Sequence, residues 1–127
     1  MARYTRQGEH VWSHGYAGSS FATAGGVAVE AGGAVWFGGC FGGDLDLGGG
    51  SLPSNGVTDV FVLRLSDAGA HSFSQHHGTA SFNCARKLIA ATPSTMAVTG
   101  YYGAPLSFGG SMLSYSGGDD LFLAILD

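Results

Sequence analysis

The chain has 127 residues, 45% of them apolar, which is enough to build one domain-sized core. Its net charge of −4, with only five Lys and Arg, leaves no basic footprint for a phosphate backbone and excludes nucleic acid as an expected partner. No run approaches the ~18 apolar residues of a membrane-spanning helix, so no membrane partner is expected either.

The remaining peculiarities are 23 glycines and a charged fraction of 11%, against a typical ~25%. There is no Gly-X-Y period, and Phe, Val and Leu come in clusters, so the chain reads as short strands joined by tight turns rather than as collagen or a disordered tract. The first residues lack the apolar stretch of a signal peptide, and whether a leader has been removed stays open.

In chain order, residues 1–14 end on His10, Val11, Trp12, Ser13 and His14, where alternation puts His10, Trp12 and His14 on one strand face. Residues 16–26 are small and polar and predict a loop. A short strand over 27–30 follows, then a turn at Ala31-Gly32-Gly33 and a returning strand over 34–38. Residues 39–59 hold glycines, Pro53 and Asn55-Gly56, and predict a long excursion with one minor strand near Asp44. The strand over 60–65 is apolar on both faces, so something must pack on each side of it. After a turn at Asp67-Ala68-Gly69, residues 70–75 return. The second half follows the same plan: a strand over 87–91, a turn at Pro93-Ser94-Thr95, a strand over 96–100, a second excursion and a strand over 121–126. No window sustains helical apolar spacing, and the expected class is all-β.

The two halves are copies. Residues 39–66 shifted by 61 fall without a gap on 100–127, and ten of the 28 positions are identical, among them Gly42/Gly103, Leu45/Leu106, Asp59/Asp120, Phe61/Phe122 and Leu65/Leu126. Upstream, Arg3/Arg64, His10/His71, Ser20/Ser81 and Phe21/Phe82 keep the offset. Repeat 1 covers about 3–63 and repeat 2 about 64–127, within one segment. Four antiparallel strands per repeat, apolar on both faces, must stack on like sheets, which predicts a β-propeller. The chain holds one whole blade, an orphan fourth strand over 8–14 and an orphan three-strand set over 87–126. Because a ring needs roughly four to eight blades, the expectation is a homo-oligomer, preferably a trimer, in which the N-terminal strand of one copy completes the last blade of its neighbour. The competing expectation is a fragment of a longer surface propeller.

The repeated pattern joins a glycine pair to Gly-x-x-Asp-x-Phe and a closing Leu: Leu47-Gly48-Gly49 with 56–65 and the turn Asp67-Ala68-Gly69, then Phe108-Gly109-Gly110 with 117–126. It resembles the SBBP-type β-propeller repeats of bacterial surface and secreted proteins. The resemblance implies a propeller and an extracellular or cell-surface setting, and it leaves the activity undefined. In architecture alone the plan is similar to small bacterial and fungal lectins, whose sugar-binding residues do not recur here.

The loops entering the first strand and leaving the second share one end of a blade, which makes that end the expected binding surface. Aromatics placed there, Tyr16, Tyr101, Tyr102 and Tyr115, together with Phe41, could stack on sugar rings or other flat ligands; Phe41 and Tyr102 equally fit as anchors packed on the sheet. Asp59 and Asp120 recur just before a strand and fit carboxylates that accept backbone N–H bonds from the turn. Asp44 and Asp46 resemble half a calcium loop, but their counterparts are Pro105 and Ser107. The histidines at 10, 71, 76 and 77 lack a two-ligand zinc spacing, and no cofactor or metal is expected. No Ser, His and Asp set recurs, so the chain is expected not to be an enzyme. Cys40 and Cys84 lie at the same end of adjacent blades, and both a disulfide and two inert thiols fit. The expected function is a binding module, lectin-like or peptide-binding, for a glycan or protein ligand. The alternative is a structural propeller without a small-molecule ligand.

Overall fold

In a computed structural model, residues 1–90, 92 and 95–127 are described; the turn expected at 93–95 lies largely outside them. The fold is all-β and antiparallel. A hairpin, β1 (Ala2–Tyr4) and β2 (His10–Ser13), precedes a four-stranded sheet of β3 (Ala22–Val29), β4 (Val35–Phe41), β7 (Asp59–Leu65) and β8 (His71–His77), which lie side by side in that order. Between β4 and β7 a small hairpin, β5 (Asp44–Asp46) and β6 (Ser51–Pro53), folds out of the excursion. A three-stranded sheet of β9 (Asn83–Ala90), β10 (Met96–Tyr102) and β11 (Asp120–Leu126) completes the described chain. We call the four-stranded and three-stranded sheets sheet one and sheet two. Among the described residues no helix is long and apolar enough to cross a membrane.

The 61-residue offset is carried into the backbone. β3, β4 and β7 start at 22, 35 and 59; β9, β10 and β11 start at 83, 96 and 120, with equal lengths. The irregularities repeat as well. The pairing of β3 with β4 skips Gly25, and that of β9 with β10 skips Arg86, its counterpart. The β7–β8 pairing runs Leu63↔Ser74, Arg64↔Phe73, Leu65↔His71, and the β1–β2 pairing runs Ala2↔Ser13, Arg3↔Trp12, Tyr4↔His10. The N-terminal hairpin thus has the register of the last two strands of sheet one, bulge included.

Strand bounds differ from the sequence expectation in several places: β4 runs on to Phe41 and β10 to Tyr102, the first excursion forms two strands where one was expected, and the first strand of each sheet starts earlier. Residues 22–26, expected in a loop because of Gly25-Gly26, belong to β3, and likewise 83–86 belong to β9. The glycine there serves approach rather than turning: a Cβ at Gly25 would lie 2.0 Å from the Ala85 carbonyl oxygen of sheet two.

Two cores result. β4 and β7 turn Trp36, Val60 and Val62 toward sheet two, where they meet Leu88, Met96, Val98 and Phe122. Their opposite face, with Val35, Phe41, Phe61, Leu63 and Leu65, is covered by Trp12 of the hairpin and by Leu45 and Leu47 of the excursion. β7 is therefore buried on both faces, as its two-sided apolar pattern requires. Cys40 of β4 and Cys84 of β9 are joined by a disulfide that ties the two sheets together. At the other end of sheet one, buried Glu30 accepts two hydrogen bonds from Arg64, at 2.9 and 2.8 Å, and one from Trp36 Nε1 at 2.6 Å. These bonds hold the Glu30 carboxyl below its ordinary range, with the Arg64 bonds the largest cause.

Candidate functional site

The loops entering β3 and β9 meet the excursions that leave β4 and β10, and backbone bonds lock them together. Gly42 N–H donates to the Phe21 carbonyl oxygen at 3.0 Å, and Gly103 N–H donates to that of Phe82 at 2.9 Å, so the same bond recurs one repeat apart. Each bond fixes a phenylalanine at the threshold of the first strand of its sheet. Both rings stand half out in water, Phe21 50% and Phe82 52% exposed.

Exposed Val57 lies between them. A side chain at Gly42 would meet both the Val57 carbonyl oxygen, at 2.9 Å, and the Phe21 ring, at 3.2 Å, so the bare glycine lets those two residues approach. Thr58 bridges in parallel to Phe82 and exchanges bonds with Asn83: its hydroxyl donates to the Asn83 carbonyl at 3.0 Å, and the Asn83 amide side chain donates to the Thr58 carbonyl at 2.9 Å. Phe21, Val57 and Phe82 are therefore three exposed apolar residues whose backbone is held in place at the loop end. The second repeat adds polar groups: the Ser81 hydroxyl and the Asp119 carboxylate would lie 2.8 and 3.6 Å from a Cβ at Gly103.

The aromatic residues expected to form the site do not converge. Tyr102 is buried and its hydroxyl donates to the Ser114 carbonyl at 2.7 Å, which makes it an anchor for the second excursion, as Phe41, fully buried, is within the first. Tyr101 is half-buried on the outward side of β10, beneath the Arg86 guanidinium at 5.1 Å. Tyr16 stacks on His14 and packs toward Leu45 and Leu47, and burial pushes its phenol up. Tyr115 alone of the four is exposed on the loops; its hydroxyl donates to the Gly118 carbonyl at 2.9 Å. Phe21 and Phe82 were not among the expected site residues, although their recurrence at the 61-residue offset was in plain view.

The two repeated aspartates do the same thing in both repeats. Asp59 Oδ2 accepts the Asn55 backbone N–H at 3.0 Å, and Asp120 Oδ2 accepts that of Ser116 at 2.7 Å. Asp59 is fully buried and also lies 3.0 Å from His76 Nδ1. Asp46 accepts N–H bonds from Gly48 and Gly50, again closing a turn. Among the described residues no three His, Cys, Asp or Glu side chains gather as metal ligands would. No family model and no curated protein matches the chain.

Proposed function

We propose that the protein is a non-enzymatic, lectin-like binding module of propeller type that works outside the cytoplasm and takes glycans on its loop end. One observation carries this reading: each repeat presents an exposed phenylalanine at the same position, held by the same backbone bond. A flat apolar ring with a hydroxyl and a carboxylate in the same loop, as in the second repeat, suits a sugar, which offers a C–H face to stack and hydroxyl groups to bond. Repetition of the site along one surface favours multivalent capture. The Cys40–Cys84 bond supports an oxidising setting.

The test is a glycan array probed with the oxidised chain, beside its Phe21→Ala/Phe82→Ala double variant. The expected result is a defined set of binders whose affinity falls at least about tenfold in the variant, since losing two stacking rings is worth more than about 1.4 kcal/mol. Both rings are half exposed, so the variant keeps its fold. An array without binders, or binders indifferent to both rings, would leave a structural propeller as the better reading.

A further inference from the structure

Sheet two carries an apolar face that stands exposed, uncovered by any other sheet among the described residues. Leu121, Leu123 and Ile125 of β11 are 83%, 69% and 56% exposed, and β11 pairs on one side only, with β10. One repeat earlier, Val60 and Val62 occupy the positions of Leu121 and Leu123, and both are fully buried against sheet two. The complementary half lies at the other end of the molecule. Leu88 of β9, 4% exposed, is one of the side chains that receive Val60 and Val62; its counterpart in sheet one, Val27, is 58% exposed, and Val29 beside it 61%. The chain thus contains one complete sheet-to-sheet interface and the two separate halves of another.

The N-terminal hairpin shows how the halves would meet. β2 pairs with β1 in the register by which β8 pairs with β7, and the three residues of β1 hold the place of the last three of a full third strand. Ala124, Ile125 and Leu126 of β11 are the residues that match Ala2, Arg3 and Tyr4 at that place. We propose that β11 of one copy displaces β1 from β2 of a second copy, so that sheet two gains its fourth strand from its neighbour and its exposed face closes on Val27 and Val29 of that neighbour. The contact is head-to-tail, each copy offering one half and receiving the other, and it closes into a ring if two to four copies complete the roughly four to eight sheets a propeller needs. The inference rests on the sheet stacking alone, so it and the loop-end reading fail separately.

Two measurements on the oxidised chain test it. Light scattering behind size exclusion should give one discrete mass of two, three or four chains, reduced to a single chain by Leu121→Lys/Leu123→Lys, a pair exposed enough to leave the folded chain intact. A Ser13→Cys/Ala124→Cys variant should then run as covalently linked chains on a non-reducing gel, because paired antiparallel Cα atoms about 4.5–5.5 Å apart are within disulfide reach. A monomeric wild-type mass overturns the proposal. So does a discrete oligomer whose engineered cysteines stay unlinked between chains while Ala2→Cys/Ser13→Cys still links within one chain, since β1 would then have kept its place.

Discussion

Sheets one and two share three equivalent strands in the same register, yet equivalent residues have opposite fates. Val60 and Val62 are sealed while Leu121 and Leu123 face water, and Leu88 is sealed while Val27 faces water. Strand propensity and alternation are alike in the two sheets, so neither decides the difference. What decides it is whether another sheet lies alongside. Burial in this architecture belongs to the interface between units and not to the unit. The disulfide belongs to that interface too: Cys40 and Cys84 correspond to Tyr101 and Thr23, so the covalent tie exists at the closed contact and has no repeat-related copy. Its 44-residue sequence separation makes it the largest single lever on the comparison. Cys40→Ala/Cys84→Ala should lower stability by about 2–4 kcal/mol, read as a shift in the urea midpoint. A loss below about 1 kcal/mol would show that the apolar contact holds the sheets together unaided.

The next contrast separates the two faces directly. Val60→Ala removes two methyl groups from a site with no solvent contact and should cost about 2 kcal/mol. Leu121→Ala, at the equivalent position, removes more carbon but should cost under about 0.5 kcal/mol in the dilute single chain. The difference should narrow as concentration rises if the outward face of sheet two is covered by another copy, which makes the Leu121 variant a sensitive reporter of assembly. Equal costs at high dilution would mean that the burial difference between the sheets does not govern their stability.

Much of the fold was legible in the sequence for a simple reason: a gapless offset over half the chain transmits register, turns and bulges alike. The strands over 60–65 and 121–126 stood out by their apolar density. Residues 22–26 did not, because Gly25-Gly26 has the look of a turn; only the distance between Gly25 and the Ala85 carbonyl shows that the glycine makes room for the neighbouring sheet. Tyr102 was legible in part. The sequence left it between a ligand-facing aromatic and an anchor packed on the sheet, and the choice depends on an excursion whose fold brings the Ser114 carbonyl to its hydroxyl. Phe21 and Phe82 could have been found by weighting recurrence above residue type, since an aromatic that recurs in a loop has fewer structural duties than one in a strand.

The smallest expected effect concerns the ends of the fourth strands, where His77 corresponds to Tyr16. Both side chains are desolvated by a neighbouring excursion, His77 against Phe108 with ring centres 4.6 Å apart and Tyr16 toward Leu45 and Leu47. Burial drives their proton affinities in opposite senses, the Tyr16 phenol up and the His77 imidazole down, because in each case it is the charged form that suffers. For His77 the folded value lies below the ordinary 6.5, so at mildly acid pH the unfolded chain binds the proton more readily than the folded one. The stability contribution is complete above the ordinary value and is lost as the pH falls through it toward the folded value. Glu30 adds a second loss at lower pH, where its Arg64-bonded carboxylate takes up a proton. Urea midpoints measured from pH 7.5 downward should therefore fall in two stages, and His77→Leu should flatten the first while leaving the second. A first stage unchanged in that variant would place the responsible group elsewhere. A first stage removed in full would show that the burial of His77 against Phe108 of the second excursion alone accounts for the loss of stability in mild acid.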